Sequence, residues 1–242
     1  MSIVCITPVK HLDGVYELLE QYDNVFYEPD ITKNELKKLL ITHEIEYLFT
    51  NPNKQSFILD RELLEHSSLK VINTCSTGLN HIDIDYCERN DIEVWSLKTD
   101  FELINDLPST AELSFGLMMS LLRKIPEGFD SVKKGEWDYE PFIGRQVKGL
   151  TIGIIGYGRL GRITAELLKG WGVKILVNDP YVDVDNENCI RTTMHEVWKQ
   201  SDVIFLHLHV TDTTRELVSG YFISNMKKGS ILINTSRGEL VN

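Results

Sequence analysis

The stretch Thr151-Ile-Gly-Ile-Ile-Gly-Tyr-Gly-Arg-Leu-Gly161 constrains what this chain can fold into more than any other. An apolar, β-branched run leads into a glycine-rich turn, and Arg162 to Lys169 follows with helical spacing. Gly156, Gly158 and Gly161 fit G-x-G-x-x-G. In a strand–turn–helix unit each glycine has a task. Gly156 permits the tight turn, Gly158 lets backbone approach a pyrophosphate, and Gly161 lets the helix lie close on its strand. The helix then turns free N–H groups and the positive end of its dipole toward the phosphates.

A glycine fingerprint alone is weak, so its context decides. Val173 to Asn178 reads as the next strand, and Asp179 stands at its end, eighteen positions after Gly161. An acid at about that distance binds the adenosine ribose hydroxyls. Its charge repels a 2′-phosphate, so the expected cofactor is NAD and not NADP. The bland alternative is a glycine-rich turn with a surface aspartate in an unrelated α/β protein. It must explain strand, glycines, helix, strand and acid falling in register together.

With 242 residues, the chain has room for one large or two small domains. A formal charge of -11 argues against non-specific binding to nucleic acid or to an anionic membrane. A few local arginines can still make one cleft suit an anionic substrate. Cys5, Cys75, Cys87 and Cys189 are scattered without a C-x-x-C. No signal-peptide pattern and no apolar run of about 20 residues is present. A reduced, cytoplasmic setting follows, with the thiols as core or loop residues and no metal site.

Residues 1–98 alternate strand and helix. Strands are expected at 3–6, 25–27, 47–50, 69–73 and 92–95, and helices around Leu12 to Leu19, after Thr32, over 59–64 and over 82–87. Thr32-Lys-Asn-Glu35 and Ser109-Thr-Ala-Glu112 both read as capping boxes. Residues 99–108 break the periodicity and are read as the hinge. An apolar helix with Leu113, Leu117 and Leu121 follows, ending near Arg123; Pro126 opens a second helix, and Trp137 lies in the loop beyond. After Thr151 come further strands at 189–191, 202–207 and 230–234, with helices at 195–199 and 219–226. The pattern implies α/β architecture: two doubly wound parallel-sheet domains, flavodoxin-like over 1–105 and Rossmann-type over 106–242. The active site is expected in the cleft between them.

Five motifs in order give a more specific signal: Ser76-Thr-Gly-Leu-Asn-His-Ile-Asp83, Ser109 to Glu112, Gly153 to Gly161, Asp179-Pro180, and Asn234-Thr-Ser-Arg-Gly-Glu-Leu-Val241, with Leu206-His207 and Thr214 alongside. Together they resemble the D-isomer-specific 2-hydroxyacid dehydrogenase family, which includes phosphoglycerate, glycerate and formate dehydrogenases. The resemblance implies an NAD-dependent oxidoreductase that moves hydride between nicotinamide and C2 of a small 2-hydroxy or 2-oxo acid. Arg159 and Leu160 would meet the pyrophosphate, and Asp179 the adenosine ribose. His207 and Leu208, with Thr214, would line the adenine side. Thr77, Thr110, Thr235 and Ser236 would lie near the nicotinamide. Backbone of Ser76, Thr77 and Gly78 would help hold the substrate carboxylate. Arg237 is the candidate catalytic residue: a planar, permanently charged guanidinium can grip the carboxylate and stabilise charge on the C2 oxygen. A homodimer through the cofactor domain is also implied, with the helix after Ser109 between subunits.

Two departures stand out. His209 occupies a position where the family usually has proline. The family also places a glutamate–histidine acid/base pair downstream of the arginine, and this sequence stops five residues after Arg237. The expectation is therefore a C-terminally truncated member, its second domain ending after the fifth strand and its first lacking the returning helix. Impaired proton transfer would follow. The rival reading is a non-catalytic NAD(H)-binding sensor or scaffold. A methyltransferase on the same fold fits the Gly156-to-Asp179 context less well.

Overall fold

The computed structural model describes residues 1–52 and 57–242. The chain divides into two compact units, Met1–Ile104 and Asn105–Asn242.

In the first unit the elements run β1 (Ser2–Cys5), α1 (Val15–Leu19), β2 (Asn24–Tyr27), α2 (Lys33–Thr42), β3 (Tyr47–Thr50), α3 (Arg61–Leu64), β4 (Val71–Thr74), α4 (Ile84–Arg89) and β5 (Glu93–Ser96). The short helix α5 (Phe101–Asn105) follows at the junction of the units. All pairings in this sheet are parallel and the strand order is β2-β1-β3-β4-β5, as in a flavodoxin-like domain. Val4 pairs with Leu48 and Leu48 with Ile72. All three are fully buried, because helices on the faces of a parallel sheet leave its central strands no wet side. Leu36 and Leu40 of α2 join the same core.

Helix α2 starts where the sequence signal places it. The Thr32 hydroxyl accepts from the Glu35 N–H at 3.4 Å, and the Glu35 carboxylate accepts from the Thr32 N–H at 3.0 Å. Other expectations need correction. The helix read from Leu12 begins only at Val15, after Gly14 turns the chain with φ 81, and Leu12 and Leu18 are exposed. The aperiodic stretch at 99–108 contains α5.

In the second unit the elements are α6 (Ser109–Arg123), α7 (Ile125–Lys133), β6 (Thr151–Ile155), α8 (Arg159–Leu167), β7 (Lys174–Asn178), β8 (Cys189–Arg191), α9 (Met194–Gln200), β9 (Val203–Leu206), α10 (Gly220–Asn225) and β10 (Ile231–Asn234). The five parallel strands lie in the order β10-β9-β6-β7-β8. Counted from β6, this is the doubly wound order 3-2-1-4-5, whose crevice opens at the carboxyl ends of β6 and β9. At the opposite end Asp202, buried, ties the sheet to its flanks. Its carboxylate accepts from the Thr151 N–H at 2.9 Å, from Arg145 at 2.6 Å and from Lys227 at 2.8 Å.

Ser109-Thr-Ala-Glu112 does not form a capping box. Pro108 is the N-cap residue, Ser109 is already helical, and no side chain caps the end. Helix α6 buries Ala111, Ser114, Met118 and Leu122, whereas Leu113, Leu117 and Leu121 face outward at 58%, 40% and 51% exposure. On α7, Phe129 and Val132 are each 63% exposed, so an apolar stripe runs over both helices. No helix among the described residues is long and apolar enough to cross a membrane.

Candidate functional site

The crevice of the second unit is built on the three glycines. Gly156 leaves β6 with φ +93, and its N–H donates to the Asn178 carbonyl at 2.9 Å. A Cβ there would overlap the His207 carbonyl oxygen and lie 2.8 Å from its carbon. A Cβ on Gly161 would overlap the Gly156 carbonyl oxygen and lie 3.1 Å from that carbon, so α8 sits as close to the turn as backbone allows. Gly158, the N-cap of α8, faces open space: nothing lies within 4 Å of a Cβ built on it. The turn is therefore closed on its protein side and open at the helix N-terminus, the arrangement that receives a phosphate.

Asp179 lies at the end of β7 with 9% exposure. One carboxylate oxygen accepts from the Tyr157 N–H at 2.7 Å, inside the glycine turn. The other accepts from the N–H groups of Tyr181 at 2.8 Å and Val182 at 3.0 Å. A carboxylate offers about four acceptor positions, so one remains for a ribose hydroxyl. Asp179 thus braces the turn, a task the sequence does not announce.

Arg159 is the first residue of α8, and its guanidinium donates to the Leu107 carbonyl at 2.9 Å. Burial pulls its pKa below the usual arginine value. Leu160 is half-buried in the same turn.

His207 follows β9. Its N–H donates to the Ile155 carbonyl at 2.8 Å, its Nε2 bonds Thr164 Oγ1 at 2.8 Å, and its ring stacks on Phe205. Nδ1 is buried without a hydrogen-bond partner among the described residues. Burial pushes the imidazole pKa down to about 4, so the ring is neutral at pH 7. A ring held neutral at pH 7 is unsuited to general-acid work there. Leu208 packs at the same turn, its Cδ2 lying 2.9 Å from a Cβ built on Gly156. Thr214 acts on its own loop: its hydroxyl donates to the His209 carbonyl at 2.6 Å and accepts from the Thr211 N–H at 2.8 Å. His209 is exposed in that loop.

Thr110 and Thr235, distant in sequence, are brought together by Ser114. The Ser114 hydroxyl donates to the Thr110 carbonyl at 2.8 Å and bonds Thr235 Oγ1 at 2.6 Å. Ser236 Oγ donates to the Leu206 carbonyl at 2.7 Å, joining the β10 loop to the end of β9. Arg237 follows. Its guanidinium donates to the Ser236 carbonyl at 2.9 Å, and Asn234 Nδ2 holds the Arg237 carbonyl at 2.8 Å. No ion pair engages Arg237 among the described residues, so its charge stays available to an acid.

The first unit carries the other candidates, in the loop after β4. The Ser76 hydroxyl donates to the Gly78 carbonyl at 2.8 Å and lies 3.0 Å from Thr74 Oγ1, which also meets His81 Nε2 at 2.9 Å. The Ser76 N–H donates to the Thr74 carbonyl at 2.8 Å. These bonds close the turn from within, and Thr77 at its tip is half-buried.

Sequence reasoning missed Ser114, Thr164 and the arginines flanking Asp179. Thr164 stands one helical turn after Gly161, on the face that Gly161 presses to the strand. Ser114 lies on the buried face of α6, four positions after Thr110. A small polar residue on a buried helix face is the signal both share.

Comparison with known proteins agrees with this geometry. Residues 4–169 match the catalytic domain, and residues 115–242 the NAD binding domain, of D-isomer specific 2-hydroxyacid dehydrogenases. The chain belongs to the D-isomer specific 2-hydroxyacid dehydrogenase family. A D-3-phosphoglycerate dehydrogenase from Methanocaldococcus jannaschii is 29% identical over 246 residues, covering 100% of this chain and 45% of that relative. The chain spans about half the length, or less, of the curated relatives it matches. Among solved structures, a D-lactate dehydrogenase from Aquifex aeolicus, complexed with NAD and lactic acid, is 31% identical at a TM-score of 0.80, covering 100% of this chain and 71% of that one. An acyclic imino acid reductase in complex with NADPH and D-Arg is 26% identical, also at 0.80, covering 100% and 76%. Both solved structures are similar in fold to this chain over its whole length.

Proposed function

We propose that this chain binds the cofactor and the substrate of an NAD-dependent oxidoreductase acting at C2 of a small 2-hydroxy or 2-oxo acid. The observation that carries the reading is the glycine turn: closed by backbone at Gly156 and Gly161, and open at Gly158 where α8 begins. The amides of the first turn of α8 and the Arg159 charge would hold the pyrophosphate. Asp179 would hold the adenosine ribose, while His207, Leu208 and the loop braced by Thr214 wall the adenine side. Thr235 and Ser236, held by Ser114 and Leu206, with Thr110, would orient the nicotinamide end. When bound, a nicotinamide dinucleotide supplies or accepts the hydride.

The chain's own part is to hold the acid. Arg237 would grip the carboxylate and stabilise charge building on the C2 oxygen during reduction, an interaction stronger in the transition state than in the ground state. The first unit's turn at Ser76 to Gly78, taken by itself, offers the N–H groups of Thr77 and Gly78 to a carboxylate. A phosphoglycerate- or hydroxypyruvate-type substrate is the favoured class. A sensor or scaffold role is not favoured, because an arginine without a carboxylate partner beside the crevice serves a substrate acid and nothing in cofactor binding requires it.

The exposed stripe of Leu113, Leu117, Leu121, Phe129 and Val132 supports a homodimer through the cofactor unit. All four thiols are unpaired, in keeping with a reducing compartment such as the cytoplasm. The test is oxidation of NADH by the purified chain with glyoxylate, hydroxypyruvate and phosphohydroxypyruvate. Turnover with any of them supports the reading. Tight NADH binding that none of the three acids perturbs would overturn the substrate assignment.

A further inference from the structure

We propose that Asp183 and Asp185 are specificity-determining residues: by pairing Arg191 and Arg162 they withhold both guanidiniums from a 2′-phosphate and reserve the ribose end for NAD. This rests on the dinucleotide reading above.

The argument begins at Asp179. Its carboxylate is held by three backbone N–H groups, from Tyr157, Tyr181 and Val182. Their dipoles offset much of its charge, which blunts the repulsion that would otherwise bar a phosphate by itself. Two arginines lie close against it. Arg191 reaches the Asp179 carbonyl at 3.4 Å. The Arg162 guanidinium sits 5.0 Å over the ring of Tyr157, whose N–H is bound by Asp179. Two free guanidiniums at that place would form a strong phosphate site, since each presents a planar fork of donors. The chain would then accept NADP.

Both forks are occupied instead. Arg162 is paired through Nη1 with the Asp185 carboxylate, and its Nη2 lies 3.4 Å from the Asp183 carbonyl. Arg191 is paired with the Asp183 carboxylate at 2.7 Å. One short loop, 183–185, thus engages both arginines. Arg162, Tyr157 and Asp185 also line an open cavity of ≈ 530 Å³ beside α8. Glu166, Lys169 and Glu187 line that cavity too and Asp179 does not, so the preference rests on the pairing of the two arginines. Asp183 is 95% exposed, so the pairs add little stability. Their effect is on which anion the arginines can meet.

The test compares binding of NAD+ and NADP+ by calorimetry, and of NADH and NADPH by fluorescence, in the unsubstituted chain and in Asp183→Ala/Asp185→Ala. The unsubstituted chain should prefer NAD+. The double variant should shift the ratio toward NADP+ by on the order of tenfold. Adding Arg162→Ala and Arg191→Ala should cancel that shift. Asp183→Asn/Asp185→Asn, which keeps the loop's shape, should move the ratio in the same direction and covers the case of a misfolded alanine variant. An unchanged ratio in both double variants, with NADH still bound, overturns this proposal and leaves the dinucleotide reading intact. Failure of the unsubstituted chain to bind either cofactor overturns both.

Discussion

Two alanine substitutions three positions apart separate what the fingerprint does for the fold from what it does for the ligand. At Gly161 the added Cβ would overlap the Gly156 carbonyl oxygen, with that carbon 3.1 Å away. Both neighbours are backbone, so α8 must move off the turn. Alanine gains up to about 1 kcal/mol of helix propensity over glycine. Forcing an atom into a packed contact costs about 1–3 kcal/mol, toward the upper end where no side chain can yield. The net expectation for Gly161→Ala is a loss of about 1–2 kcal/mol and a fall of roughly 3–8 °C in the melting of the second unit. NADH affinity should fall with it, because the turn shifts. At Gly158 nothing lies within 4 Å of the new Cβ and φ is -70. Stability should change by less than about 1 kcal/mol. The Cβ would nevertheless stand where the pyrophosphate approaches, so NADH affinity should fall at least tenfold. The assays are thermal melting and NADH fluorescence titration on the same preparations. A Gly158→Ala chain that binds NADH normally would refute the proposed phosphate position. A Gly161→Ala chain with unchanged melting would refute the close helix–turn packing.

Three further outcomes follow from the charged and polar groups. Burial raises the Asp202 carboxyl, but Lys227, the Thr151 N–H and Arg145 outweigh it and hold it below the ordinary aspartate value. Its stabilising effect is therefore present above the unfolded pKa and lost as pH falls through the folded one; Asp202→Ala should cost about 3 kcal/mol at pH 7 by urea melting and flatten acid unfolding below about pH 4. Burial lowers the His207 pKa to about 4, so the unfolded chain binds the proton first and stability should decline from about pH 6.5 down to pH 4, by roughly 3 kcal/mol at most. His207→Gln should remove that slope in pH-dependent melts, and a slope unchanged by the substitution would contradict the assignment. If turnover is measured, Arg237→Ala should lower kcat/KM by about 100- to 1000-fold while leaving the NADH dissociation constant unchanged.

Much of this was legible in the sequence because glycine geometry and strand periodicity are local. Gly156, Gly158 and Gly161 sit in the strand–turn–helix they imply, and the Thr32 box caps its helix. The Ser109 box failed because Pro108 already supplies a helical conformation at the N-cap, φ -81 and ψ -8, and draws the next residue into the helix. Leu113, Leu117 and Leu121 mark an apolar helix in the sequence and face outward in the fold, since an apolar face shows that something covers it and not whether the chain itself does. The bracing of the glycine turn by Asp179 and the pairs Arg162–Asp185 and Arg191–Asp183 were invisible. They depend on where the loop after β7 folds back, which no local pattern sets.

The most direct test of the central claim is fluorescence titration of the unsubstituted chain with NADH, with NAD+ as competitor. The account predicts saturable binding that NAD+ displaces and that Gly158→Ala weakens at least tenfold. A chain that is folded by circular dichroism yet gives no saturable NADH signal would contradict it.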